Sequence, residues 1–180
     1  MRVIAGTAKG ARLARVPPGT RPLSDRAREG LFSSLGGRVP GARVGDLFAG
    51  TGAVGIEALS RGAASCVFVD SSAAAIRTIR ENLDRTGLGE RATVVRSEVG
   101  GALGRERGPF DLAVLDPPYA YSDDALRAVM TRLARLMAPG GALALTRPKA
   151  DSNDVIPVHW AVVRLLTYGV TRILVLQEAV

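Results

Sequence analysis

The stretch Asp116-Pro117-Pro118-Tyr119 follows the apolar run Asp111-Leu112-Ala113-Val114-Leu115. Both prolines fix φ and press the residue before them into an extended conformation, so the run ends in a stiff, polar corner. Such a corner suits methylation of an exocyclic amine on a nucleobase. That nitrogen is a poor nucleophile because its lone pair is delocalised into the ring. The Asp116 carboxylate and the Pro117 carbonyl are two acceptors that can hold its two N–H groups and aim the lone pair, which is catalysis mainly by positioning. Asp116 is also placed to take the proton, while Pro118 stiffens the corner. Tyr119 supplies an aromatic face for the base, a contact worth about 1–3 kcal/mol. This chemistry needs no metal.

The second chemical stretch is Val44-Gly45-Asp46-Leu47-Phe48-Ala49-Gly50-Thr51-Gly52-Ala53-Val54-Gly55, a strand running into a glycine turn and a helix. Gly50, Gly52 and Gly55 have the G-x-G-x-x-G spacing, which permits a tight turn, close approach of backbone to ligand and tight packing of helix on strand. Ile56-Glu57 stands where a phosphate loop needs Lys-Ser/Thr, which argues strongly against a nucleoside triphosphatase. Asp70, at the end of the next apolar run, lies at the distance expected of a ribose-binding acid and would also serve a nicotinamide dinucleotide. Asp46 beside the turn would repel a pyrophosphate. A carboxylate there suits S-adenosylmethionine instead, whose ammonium and sulfonium are cationic.

Elements must present both stretches at one edge of a sheet. From Arg43 onward, apolar runs alternate with amphipathic helices, the signature of an α/β fold with a parallel sheet covered on both faces. Strands are expected near 43–48, 65–70, 92–96, 111–115, 141–146, 158–167 and 170–178, and helices near 53–61, 72–86, 99–104 and 123–137. Tyr168-Gly169 leaves so short a link that the last two strands should form an antiparallel hairpin. Leu126, Val129, Met130, Leu133 and Met137 stripe the last helix as core residues. His159, the only histidine, and Cys66, the only cysteine, read as structural, which rules out an internal disulfide or cysteine metal site. In front of the sheet, residues 2–5 and 11–16 suggest a basic hairpin ended by Pro17-Pro18-Gly19. Ser24 caps a helix whose Ala27, Leu31, Phe32 and Leu35 share a face, and Gly36-Gly37 stops it.

The 180 residues suffice for one domain with a substantial core, and no apolar run approaches a membrane span, so a cytoplasmic protein with no membrane partner is expected. Net charge is +7, and residues 1–38 hold eight basic against two acidic side chains, six of the seven net charges. Clustered arginines read as a polyanion contact, nucleic acid first. The chain therefore divides into a basic extension, 1–38, expected to bind a polyanion, nucleic acid before an acidic membrane surface, with Lys9, Arg12, Arg21, Arg26 and Arg28 as contacts, and a catalytic domain, 39–180.

Met1-Arg2-Val3-Ile4-Ala5-Gly6, Arg21-Pro22-Leu23-Ser24-Asp25-Arg26-Ala27-Arg28-Glu29, Asp46-Leu47-Phe48-Ala49-Gly50-Thr51-Gly52, Asp116-Pro117-Pro118-Tyr119 and Tyr168-Gly169-Val170-Thr171 together resemble the bacterial RsmD family over essentially the whole chain. The resemblance implies a class I methyltransferase fold, Rossmann-like and seven-stranded, with S-adenosylmethionine as donor and S-adenosylhomocysteine as product. It also implies N2-methylation of a guanine, position 966 in the usual numbering, in 16S rRNA of the 30S subunit or its assembly intermediate; separately from the resemblance, a monomer is expected. By that resemblance Asp46, Phe48, Ala49 and Gly50 to Gly52 (with Thr51) line the methionine end of the donor. Asp70 and Ser71 meet its ribose, Glu98 and Val99 its adenine side, and Asp116, Pro117, Pro118 and Tyr119 the guanine amine. Ser97-Glu98 replaces the family's Gly-Asp. The competing readings are a DNA amino-methyltransferase acting on adenine N6 or cytosine N4, an RNA-binding module without catalysis, and a dinucleotide oxidoreductase.

Overall fold

A computed structural model describes residues 1–14 and 22–179. Pro17-Pro18-Gly19, Arg21 and the end of the second hairpin segment lie outside the described residues. After helix α1 (Asp25–Leu35), strands and helices alternate: β1 (Arg43–Leu47), α2 (Ala53–Ser60), β2 (Ser65–Asp70), α3 (Ala73–Thr86), β3 (Ala92–Arg96), α4 (Val99–Arg105), β4 (Phe110–Leu115) and α5 (Asp123–Ala134). The chain closes with β5 (Met137–Pro148), β6 (Trp160–Tyr168) and β7 (Thr171–Glu178). One seven-stranded sheet has the order β3-β2-β1-β4-β5-β7-β6. β1 to β5 pair in parallel, and β7 runs antiparallel to both β5 and β6. The order reverses between β1 and β4, which opens a crevice at the carboxyl ends of those strands.

Each face of the sheet is buried under its own apolar cluster. Leu31 and Phe32 of α1, Ile56 and Leu59 of α2, and Ile79 and Leu83 of α3 fill one face; Leu103 of α4 and Leu126, Met130 and Leu133 of α5 fill the other. Three helices begin with a serine whose hydroxyl accepts an otherwise orphaned N–H: Ser24 from Ala27, Ser72 from Ala75 and Ser122 from Ala125. Gly55 has a packing reason to lack a side chain. A Cβ there would stand 2.3 Å from the Phe68 ring and 2.7 Å from Cys66 Sγ, so α2 lies directly on β2.

The last helix ends earlier than its stripe suggests. Leu136 O accepts the Phe110 N–H at 2.7 Å, and Met137 pairs with Phe110 as the first residue of β5, so sheet pairing overrides the helical period there. β5 accordingly begins well before residue 141. β6 starts at Trp160, which leaves His159 in the preceding turn. Cys66 is buried and free. Among the described residues no helix is long and apolar enough to cross a membrane, and no group of three or more His, Cys, Asp or Glu is arranged to hold a metal.

The N-terminal arm is short and tightly seated. One antiparallel bridge joins Arg2 to Arg12, flanked by Val3 N to Ala11 O at 3.0 Å. The arm lies along α2: Ile4 and Ala5 donate their N–H groups to the Glu57 carboxylate at 2.8 and 3.0 Å, and Ala8 donates to Ser60 Oγ at 2.9 Å. Gly6, at φ +85°, approaches so closely that a Cβ would sit 1.8 Å from Ser60 O.

Candidate active site

A cavity of about 620 Å³ opens at the carboxyl edge of the sheet. Its size falls in the usual range for a cofactor cleft. One half is built from the β1–α2 turn and the ends of β2 and β3, where Phe48, Ala49, Gly50, Thr51, Asp70 and Ser71 form the wall together with Glu98 and Val99 at the start of α4. The turn is held by backbone bonds to carboxylates. Gly50 N donates to Asp70 Oδ2 and Ser72 N to Asp70 Oδ1, each at 2.9 Å. Both oxygens retain a lone pair, so the Asp70 carboxylate remains able to accept from a diol. Phe48 is the one non-glycine residue with positive φ, +65°, among the described residues. A bulky residue in that region is strained and has to be fixed by its surroundings. Here the Tyr121 ring packs edge-on against Phe48 with centroids 4.8 Å apart.

Asp46 and Gly52 do not reach the cavity wall. Asp46 is 2 % exposed and lies under the turn, where its Oδ2 accepts the Gly55 N–H at 2.9 Å. Burial pushes its pKa up to about 7, the Gly55 bond pulls it down, and the charges of Asp116 and Asp70 push it further up. The methionine-end contact expected of Asp46 is thereby corrected: the carboxylate ties the start of α2 to β1, because a strand residue one step off the cavity face points into the helix packed on it.

The other half of the cavity is the proline corner. Asp116, Pro117, Pro118 and Tyr119 all line it, with Tyr119 64 % exposed and its ring presented to solvent. Asp116 N reaches back to Leu47 O at 3.5 Å, so the corner leaves the sheet beside the β1–α2 turn. Tyr121 N donates to Pro118 O at 2.9 Å, which closes the turn before α5. Burial raises the Asp116 pKa to about 6, opposed by a hydrogen bond from the Thr146 hydroxyl. The Tyr121 phenol is likewise raised, by burial and by the Glu98 charge.

Several wall residues were not anticipated. Pro22, Leu23, Ser24 and Ala27 bring α1 to the rim, and Thr146, Arg147 and the β6–β7 turn from Tyr168 to Thr171 complete the side nearest the corner. α1 can dock there because Gly30 has no side chain; a Cβ would stand 1.6 Å from the Tyr168 hydroxyl. The conspicuous Tyr168-Gly169-Val170-Thr171 stretch was the available signal. Nothing in the sequence marked Thr146. Asn82, fully buried in α3, was equally silent: its amide donates to Thr51 O at 2.9 Å and accepts Ala14 N at 2.7 Å, joining the glycine turn to the N-terminal arm.

Of the expected RNA contacts, Lys9, Arg12 and Arg26 are exposed, while Arg21 lies outside the described residues. Arg28 is corrected. It is completely buried, donates to Arg2 O and, at 3.1 Å, to Asp25 Oδ1, and lies 3.7 Å from Glu57. Glu57 is also fully buried, so Arg28 is a counter-charge inside the protein and not a phosphate contact.

A family model described as "Conserved hypothetical protein 95" matches residues 1–177. The chain is similar to "Putative rRNA methyltransferase YlbH" of Bacillus subtilis, 35 % identical over 99 % of both chains. It is also similar to "Ribosomal RNA small subunit methyltransferase D" of Escherichia coli strain K12, 31 % identical over 91 % of this chain and 83 % of the relative. Among solved structures, "Putative methyltransferase yhhF from Escherichia coli" superposes with a TM-score of 0.86 at 28 % identity, covering 99 % of this chain and 97 % of that one.

Proposed function

This chain belongs to the RsmD family, whose model spans nearly all of it, and we propose that it methylates small-subunit rRNA from S-adenosylmethionine at the exocyclic N2 amine of a guanine. The observation that carries the reading is the meeting of two unlike walls in one cavity: the glycine turn with Asp70 on one side and the Asp116 to Tyr119 corner on the other. The names of the two curated relatives support an rRNA substrate. The residues present fit the donor: a carboxylate at the end of β2 for a ribose diol, an open glycine turn, and Glu98 with Val99 where the adenine would lie.

When bound, the donor supplies an electrophilic methyl group on a sulfonium. The protein's part is to bring the amine to it. Asp116 Oδ and Pro117 O accept the two N–H groups, which sets the nitrogen lone pair along the axis of displacement. As the N–C bond forms and the C–S bond breaks, the amine becomes cationic and gives up one proton, for which Asp116 is the acceptor within reach. Tyr119 stacks on the base after it has left its helix. Lys9, Arg12 and Arg26, with Arg21, hold the phosphate backbone, so binding should weaken steeply with salt.

The test is transfer of labelled methyl groups from S-adenosylmethionine to small-subunit rRNA, to 30S particles and to duplex DNA, followed by nuclease digestion and mass spectrometry of the labelled nucleoside. N2-methylguanosine from rRNA or 30S particles is the expected product. N6-methyladenosine, or label in DNA alone, overturns the reading.

A further inference from the structure

The end of β5 carries a residue that acts on the corner. Leu115 pairs with Leu145 in parallel register, so the next residues, Asp116 and Thr146, lie side by side at the cavity edge and project to the same face of the sheet. Thr146 is 4 % exposed. Its hydroxyl donates to Asp116 Oδ1, and its only other acceptor among the described residues, Leu115 O, is 3.5 Å away, at the limit of bonding. A hydroxyl has one proton to give, and geometry directs it to the carboxylate. Asp116 Oδ2 has no protein donor among the described residues. The next side chain, Arg147, turns to the opposite face and pairs with Asp123 at 2.9 Å and Asp151 at 2.8 Å, so it does not compete for Asp116.

We propose that Thr146 is a positioning residue for Asp116. By occupying Oδ1 it fixes the carboxylate plane and leaves Oδ2 as the oxygen that meets the amine. This rests on the reading of Asp116 as the group that holds the amine. A free carboxylate would rotate about χ2, and its two oxygens would exchange; the hydroxyl removes that freedom before substrate arrives, which is the preorganisation that positioning catalysis requires. The same bond favours the ionised carboxylate against its burial. The other titratable or charged groups on the surrounding elements are Asp46 of β1, Asp70 of β2, Glu98 at the start of α4, Tyr119 and Tyr121 in the same loop, Arg147 of β5 and Tyr168 of β6. Thr146 is the one whose hydrogen bond reaches the Asp116 carboxylate among the described residues.

The experiment compares Thr146→Val, which keeps the shape and loses the proton, with Thr146→Ser, which keeps the proton. Single-turnover methyl transfer to 30S particles is followed across pH 5 to 9, and donor affinity is measured by calorimetry. In the parent, the rate should rise with pH through a midpoint near the Asp116 value of about 6. Thr146→Val should lower the maximal rate by about ten- to a hundred-fold, the range for a hydrogen bond to a charged group. It should also move the midpoint to higher pH and leave donor affinity unchanged; Thr146→Ser should restore both rate and midpoint. A parental rate and midpoint in Thr146→Val, beside an inactive Asp116→Ala, overturns the role of Thr146 and leaves Asp116 in place. Full transfer by Asp116→Ala defeats the reading of Asp116 and the proposal with it. Loss of donor affinity in Thr146→Val assigns the hydroxyl to the donor and also overturns the proposal. If Thr146→Val does not fold, Thr146→Ala gives the same readouts.

Discussion

The two walls of the cavity are built by different means. On the glycine-turn side, the carboxylates of Asp46 and Asp70 are held by backbone N–H groups of Gly55, Gly50 and Ser72, all within twenty residues of their partners. On the corner side, Asp116 is held by a side chain thirty residues away, and the wall is finished by α1 and the β6–β7 turn from opposite ends of the chain. At the first wall the two carboxylates are held by backbone N–H groups close to them in sequence. The second is assembled from distant segments through side chains, with Tyr119 left exposed. A wall for a small, invariant ligand can be local, whereas one for a base delivered on a polymer needs contributions from several elements.

The sharpest way to separate the walls is Asp116→Ala. If the corner acts on the amine alone, turnover should fall by about a hundred- to ten-thousand-fold, the usual range for a positioned acid or base. Donor affinity by calorimetry should stay near that of the parent, the mark of an interaction used in the transition state. A comparable loss of donor binding would merge the two walls into one.

The pair Arg26 and Arg28 tests the distinction between surface and core on a single helix. Arg28→Ala leaves the buried Glu57 carboxylate without one of its counter-charges. It should cost about 3–5 kcal/mol of stability by denaturant unfolding, the range for breaking a buried pair. Arg26→Ala should leave stability unchanged and reduce the slope of log K for RNA against log salt by about one, as for one lost phosphate contact. Equal effects from the two variants would refute the assignment.

Asp70→Ala should weaken S-adenosylmethionine binding by about ten- to a hundred-fold, since a charged hydrogen-bond acceptor is removed. Turnover at saturating donor should change far less. Unchanged affinity in a folded variant would remove Asp70 from the donor.

A further effect is expected on the pH dependence of stability. The folded pKa of Asp46 is raised from 3.8 to about 7, so the folded state holds its proton more tightly than the unfolded chain does. The contribution is therefore complete below about pH 4 and is lost as pH rises through about 7. Asp46→Asn keeps an acceptor for the Gly55 N–H and cannot ionise. Unfolding measured from pH 4 to 8 should show a shallower decline in this variant than in the parent. An identical decline in both would place the proton elsewhere.

Much of the frame was legible because its signals are local. Strand positions at 43–48, 65–70, 92–96 and 111–115 follow from apolar runs, and the Ser24 cap of α1 from one hydroxyl before an amphipathic stripe. The glycine turn, Asp70 and the Asp116 to Tyr119 corner each carry a local signal, and the sheet brings Gly50 and Thr51 of the turn, Asp70 and the corner to one cavity.

What tertiary structure alone decided involves direction and distance. Charge type did not reveal that Arg28 points inward while Arg26 points outward, because that depends on Glu57 rising from a helix twenty-nine residues later. Asp46 looked like a ligand contact by its place before the turn, yet the alternation of side chains along β1 aims it beneath the turn at Gly55. Thr146 and Asn82 have ordinary neighbours in sequence. They acquire roles through register and packing, Thr146 from the pairing of Leu115 with Leu145 and Asn82 from standing between the arm and Thr51. A sequence states which groups are available and how far apart they are along the chain. Which face of an element each group occupies, and which distant partner waits there, is fixed only when the sheet is assembled.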